Sequence, residues 1–124
     1  MQLFSCIYLG MDKILSEAEA ATATDRVFKA LADPGRRRLL DRLRVKGGLT
    51  LTALCDGMPM SRQAVKKHLT QLEEANLVVT RWAGRELEHY LNPMPIHAIT
   101  KRWIKPFEHA RLDALWNLKK QLED

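Results

Sequence analysis

Apolar residues recur every three or four positions along most of this chain, and every second position along one short stretch. That alternation of periods predicts several helices and a single β-hairpin. Val27, Ala30 and Leu31 place a short helix over 25–32, with Thr24 as its N-cap. Asp33-Pro34-Gly35 breaks it, and Pro34 suits the first turn of a second helix reaching about Lys46, with Leu39, Leu40 and Leu43 on its inner face. Gly47-Gly48 ends that helix. Leu51 and Leu54 mark a third, short helix over 50–56, and Gly57-Met58-Pro59 is a turn. Ser61 then caps a fourth helix running to about Ala75, with Asn76 in the left-handed position that stops it.

From Leu77 to Trp82 the chain is rich in β-branched residues and reads as a strand. After a turn at Ala83-Gly84-Arg85-Glu86, Leu87, His89 and Leu91 alternate with Glu88 and Tyr90 as on a half-covered second strand. Ile96, Ile99, Trp103, Phe107, Ala110, Ala114, Leu118 and Leu122 then step at helical spacing, and Pro106 predicts a kink or break within them. The fold class expected is mainly α with a small β-hairpin: a winged helix-turn-helix with a C-terminal dimerisation helix. Three segments follow: an N-terminal extension over 1–22, loosely attached; the winged helix-turn-helix over 23–92; and the C-terminal helix over 93–124. Met11 offers an alternative start, which would leave residues 1–10 untranslated.

Within the fourth helix the two faces differ in chemistry. Val65, Leu69 and Leu72 line an apolar back. Arg62, Gln63, Lys66, Lys67 and Thr70 occupy the front, where their side chains suit phosphates and base edges in a major groove. Gln63 and Arg62 can each form paired hydrogen bonds, to adenine and guanine respectively, and are the candidate base readers. Ser61, Lys66 and Lys67 suit phosphates, which position a protein without specifying sequence. Arg81 and Arg85 flank the wing and suit the minor groove or the backbone. A solvated basic helix face is the competing reading, and the turn before it and the wing after it argue against that. His68 lies between the two faces, suited to packing or a phosphate. Of Arg36, Arg37 and Arg38, at least one is expected in solvent or paired with Asp33 or Asp41.

Charge sharpens this picture. The chain of 124 residues carries a formal net charge of +5. Residues 26–92 hold 13 Lys and Arg against 7 Asp and Glu, whereas the first 22 hold one Lys against three acids. Positive charge therefore travels with the reading helix, as a polyanionic partner requires. The two cysteines, Cys6 and Cys55, lie far apart in no metal-type or redox-type spacing, which suits a reducing cytoplasm. The apolar run from Leu3 to Leu9 is too short for a signal or a membrane span. No acid pair in a known motif, no nucleophile with its base and no glycine-rich phosphate loop points to an enzyme.

With these elements in order, the residues are similar to a known family. Ala30-Leu31-Ala32-Asp33-Pro34 with Arg36, Arg38 and Leu39 resembles the opening signature of the ArsR/SmtB family of bacterial repressors. Met60-Ser61-Arg62-Gln63-Ala64-Val65, His68-Leu69, Leu72-Glu73 and Ala75-Asn76-Leu77-Val78 resemble its reading helix and exit; Gly84-Arg85 with Tyr90-Leu91 resembles its wing. The likeness covers roughly residues 24–92 well and the C-terminal helix loosely. Lys66 stands where Ser is common, and Asn76 where Gly is common. The resemblance implies a homodimeric repressor of its own or neighbouring genes that binds double-stranded operator DNA and is released by an inducer, here unidentified. Val27, Leu31, Ile99, Trp103, Phe107, Ala110, Ala114 and Leu118 are the expected dimer contacts, since an aromatic helix beyond a compact unit needs another surface to cover.

The family's thiol metal site needs clustered cysteines at the third helix. Here Cys55 has Thr50 and Thr52 for neighbours, and one thiolate does not hold a soft metal. His97, Glu108, His109 and Asp113 match the family's second site by residue type but not by spacing. The chain therefore resembles the branch without an evident metal site, and no cofactor is expected. The alternative is a metal- or thiol-responsive sensor repressor of the same fold, using Cys55 or His97 and His109.

Overall fold

The computed structural model describes residues 17–107 and 109–123. Its elements are α1 (Glu17–Leu31), α2 (Pro34–Val45), α3 (Leu51–Cys55), α4 (Arg62–Glu74), β1 (Val78–Ala83), β2 (Glu86–Leu91), α5 (Met94–Trp103) and α6 (His109–Glu123). The order is the one the hydrophobic pattern predicts, with one boundary far from its expected place. Thr24 does not cap the first helix but lies within it, because α1 begins at Glu17. Alanine occupies four of the six positions from Ala18 to Ala23, and alanine is the strongest helix former. The hydroxyls of Thr22 and Thr24 turn back onto the carbonyls of Ala18 and Ala20, at 3.0 Å each, so neither competes for a cap. Residues 17–22 are thus helical, and the remainder of the expected N-terminal extension lies outside the described residues.

Leu39, Leu54, Val65, Leu72 and Leu77 are fully buried and form the centre of one core, joined by Val27, Ala30, Leu40, Leu43, Leu69, Ala75 and Val78. Leu51 and Cys55 pack half-buried at its edge. Each helix junction is closed by a specific polar contact. Asp33 caps α2 by accepting from the Arg36 backbone N–H at 3.0 Å. Thr50 caps α3 and Ser61 caps α4 in the same way. Arg42 of α2 donates to the Leu54 carbonyl at 3.1 Å, occupying the end of α3 just before the Gly57 turn, where φ is +72°.

The exit of α4 fixes where the wing starts. Asn76 takes φ +62°, and the N–H groups of Asn76 and Leu77 return to the carbonyls of Glu73 and Leu72. This paired closure satisfies the last turn of the helix. β1 and β2 form an antiparallel hairpin with Val78 opposite Leu91 and Ala83 opposite Glu86, turning at Gly84 with φ +64°. A backbone pair between Leu49 and His89 stitches the loop after α2 onto β2. Asn92, completely buried, donates to the Asn76 carbonyl at 2.9 Å and accepts from the Met94 N–H at 3.2 Å, tying together the ends of α4, the wing and the start of α5. Between α5 and α6 the chain turns at 104–107, the break that Pro106 predicts. Among the described residues, no helix is long and apolar enough to cross a membrane.

Candidate nucleic-acid interface

α4 presents the two faces its sequence requires. Val65, Leu69 and Leu72 are buried against α2 and α3. Ser61, Arg62, Gln63, Lys66, Lys67 and Thr70 are all exposed on the opposite side. Gln63, Lys66 and Lys67 have no side-chain partner among the described residues, so their donors and acceptors are free for a ligand. Ser61 is already the N-cap, accepting from Ala64 N–H at 3.1 Å, and retains its hydroxyl proton for a second partner. Thr70 donates to the Lys66 carbonyl at 3.1 Å, which fixes its rotamer and leaves its oxygen as an acceptor. Arg62 is turned sideways: its guanidinium donates to the Thr52 hydroxyl on α3 at 3.2 Å.

The wing separates its two arginines. Arg81 donates to Glu88 at 3.1 Å and to the Tyr90 hydroxyl at 2.8 Å, with its guanidinium 5.3 Å from the Tyr90 ring centre. The Tyr90 hydroxyl in turn donates to Glu88 at 2.8 Å, and its ring lies against Gly47 and Gly48. The Tyr90 hydroxyl, then the Arg81 guanidinium, hold the Glu88 carboxyl below its ordinary pKa, and donation to that carboxylate raises the Tyr90 phenol. The expectation that Arg81 faces DNA thus meets a competing partner. Its charge is matched by Glu88, and it stiffens the hairpin. Arg85, at the tip, is exposed and without a partner among the described residues.

His68 is half-buried and points back, its Nε2 3.8 Å from Asp33 and its Nδ1 3.5 Å from the Arg36 guanidinium. The Arg36 backbone N–H is the main cause of a lowered Asp33 pKa; partial burial opposes it, and the His68 and Arg36 charges assist. Arg36 also donates to the carbonyls of Ala30 and Lys29, at 2.8 and 3.0 Å, and Arg37 donates to that of Leu31. Two of the three consecutive arginines therefore close the end of α1, whereas Arg38 is exposed.

The expected dimer contacts divide. Val27 is 4% exposed and belongs to the core of the single chain; its helical period marks burial, not an outer face. Leu31 and Ile99 pack half-buried at the edge of that core. Trp103, Phe107, Ala110, Ala114 and Leu118 are exposed. Phe28, which the spacing argument passed over, is 45% exposed and meets Trp103 with ring centres 5.9 Å apart. Trp82, at the outer end of β1, is likewise 68% exposed. It stands opposite Leu87 in a strand pair whose inner face otherwise carries covered side chains.

Among the described residues, no group of three His, Cys, Asp or Glu side chains converges. Cys55 is a free, half-buried thiol and His97 is exposed. Glu108 and the side chain of His109 lie outside the described residues.

With this geometry in place, comparison with known proteins identifies its kind. Residues 31–81, from the end of α1 through most of β1, match the helix-turn-helix domain family. The uncharacterised HTH-type transcriptional regulator YuzN of Bacillus subtilis is 37% identical over 87 residues, covering 65% of this chain and 95% of YuzN. The transcriptional repressor SdpR of the same organism is 33% identical over 69 residues, which are 55% of this chain and 74% of SdpR. Among solved structures, an ArsR-like transcriptional regulator from Rhodococcus sp. RHA1 superposes with a TM-score of 0.64 at 26% identity, covering 82% of this chain and 93% of that one. Residue signature, reading helix, wing and relatives agree, and the chain belongs to the ArsR family of winged helix-turn-helix transcriptional regulators.

Proposed function

We propose that this chain is a homodimeric, cytoplasmic repressor that binds operator DNA and acts by occupying its site, not by catalysis. The observation that carries this reading is the split of α4: three buried apolar residues behind, and an uninterrupted exposed front of Ser61, Gln63, Lys66, Lys67 and Thr70. Gln63, at the N-terminal end of that front, reads a base edge, because its amide presents a donor and an acceptor together. Ser61, Lys66 and Lys67 hold phosphates on either side, and Arg85 extends the contact from the wing. Relatives that regulate transcription, one of them a repressor, support the direction of control.

Dimerisation is supported by the exposed aromatic residues Phe28, Trp103 and Phe107, the first two in ring contact, which one chain leaves in water. Two copies joined there present two reading helices to successive major grooves, roughly 34 Å apart. Selection of bound sequences from a random duplex pool, followed by footprinting, tests the proposal. A near-palindromic site with salt-sensitive, saturable binding is expected. Absence of any such binding at low salt overturns it.

A further inference from the structure

Between α4 and the wing lies an open cleft of about 690 Å³. One wall carries Arg62, Lys66 and Thr70 of α4, with Thr52 of α3 beside them; the other carries Leu87 of β2. Trp82 is not itself part of the lining, but the hairpin register puts it directly opposite Leu87 and on the same face of the sheet. Trp82 is 68% exposed, although the register partners below it on that face, Thr80 and His89, are half-buried and buried. The cleft therefore carries cations along α4, and its hairpin wall offers the apolar Leu87 between Glu86 and His89. A nucleic-acid strand has the same division, with charged phosphates alternating with apolar sugar faces. Glu73, three turns along α4 from Arg62, and Glu86 also line the cleft and repel an anion from their own vicinity, leaving Arg62 and Lys66 to hold it.

Arg62 is fixed toward this space. Its bond to Thr52, which also lines the cleft, takes one guanidinium donor and leaves the others for a ligand. Resting on the DNA-binding reading above, we propose that the cleft seats one strand of the DNA backbone. Arg62, oriented by Thr52, holds a phosphate there, and Trp82 with Leu87 covers the adjoining deoxyribose. Arg62 then contributes affinity without sequence preference, and the wing contributes an apolar contact as well as the charge of Arg85.

The test measures binding of the full chain to a selected operator duplex and to a random-sequence duplex of equal length, each over a series of salt concentrations. Arg62→Ala is expected to weaken both equally and to reduce the slope of log affinity against log salt by about 1. Thr52→Val is expected to weaken binding in the parent protein but to add nothing to Arg62→Ala. Trp82→Ala is expected to weaken both duplexes roughly tenfold with the salt slope unchanged, because the lost contact carries no charge. Trp82→Phe retains most of the affinity, and its difference spectrum against the parent shows Trp82 emission changing when DNA is added. Thermal unfolding checks that each variant folds; Thr52, Arg62 and Trp82 are all exposed, so none of the replacements opens the core. An altered operator-to-random ratio with an unchanged slope for Arg62→Ala overturns the phosphate assignment, and unchanged affinity for Trp82→Ala overturns the seat. A parent protein that binds neither duplex overturns the proposed function itself, and is distinguishable from both.

Discussion

At the scale of single residues, the interface separates side chains that differ in freedom. Gln63 and Lys67 are neighbours on the exposed front of α4 and neither is tied within the chain. An amide reads a base through paired hydrogen bonds, whereas an ammonium acts as a point charge on phosphate. Gln63→Ala should therefore lower operator affinity by about 1–3 kcal/mol while leaving random DNA nearly unaffected. Lys67→Ala should weaken both and reduce the salt slope by about 1. Competition gel shifts with both duplexes measure the two ratios, and equal specificity ratios for the two variants would contradict the assignment. Asn92 has a purely architectural task. Asn92→Leu keeps the volume but strands the Asn76 carbonyl and the Met94 N–H without their partner. A loss on the order of 2–4 kcal/mol follows from two abandoned polar groups, readable as a lower urea midpoint. The Asp33 cap adds a pH dependence. Its folded pKa is lowered, so its stabilisation is complete above the ordinary carboxylate range and disappears as pH falls through the lowered value. Asp33→Ala should cost about 1 kcal/mol at neutral pH, and the gap to the parent should narrow in acid below the ordinary aspartate pKa near 3.8.

At the scale of elements, the junctions decide how rigidly α4 is held. The Arg36 guanidinium reaches the end of α1 and the ring of His68 on α4, while its backbone N–H meets the cap of its own helix. Arg38, two residues on, is exposed. Arg36→Ala should lower unfolding free energy by about 1–3 kcal/mol, since two carbonyls lose a charged donor. Arg38→Ala should stay within about 0.5 kcal/mol. Equal urea midpoints for the two would refute the distinction. Three consecutive arginines look alike in sequence, and periodicity cannot show which one reaches back across a turn. Element types were legible, because Leu39, Leu40 and Leu43 in α2 and Leu87 and His89 in β2 repeat at different periods. The caps at Ser61 and Asn76 and the break at Pro106 were equally legible, since each rests on local backbone chemistry, whereas Thr50, expected inside the third helix, is its N-cap. Thr24 misled because a hydroxyl that caps one helix back-bonds within another, and alanine propensity decided between them. The surroundings of Arg81 and Trp82 were not legible for a different reason. Their settings depend on which cross-strand neighbour they meet, and strand register is a long-range property.

At the scale of the whole molecule, the chain divides its apolar surface unequally. The core of α1–α4 and the hairpin is closed, yet Phe28, Trp103, Ile104, Phe107, Leu115, Trp116, Leu118 and Leu122 remain exposed along one end and its following helices. Leaving that many large side chains in water is unfavourable by about 25 cal/mol for each Å² that a second copy would cover. The Phe28–Trp103 pair lies where α1 meets α5, so a partner seated there grips the same end of α1 that is clamped to α2 and α4 through Arg36. Dimer geometry and reading-helix orientation are then mechanically joined. Trp103→Glu places a charge at that contact, and a buried unpaired charge in an interface is far costlier than the contact it replaces. Sedimentation at micromolar concentration should show monomers, with the fold intact because Trp103 is 46% exposed in the single chain. Such monomers lose the second half-site, so operator affinity should fall by at least a hundredfold while binding to one half-site persists. A Trp103→Glu protein that sediments as a dimer would place the interface elsewhere, and with it the spacing of the two copies of α4.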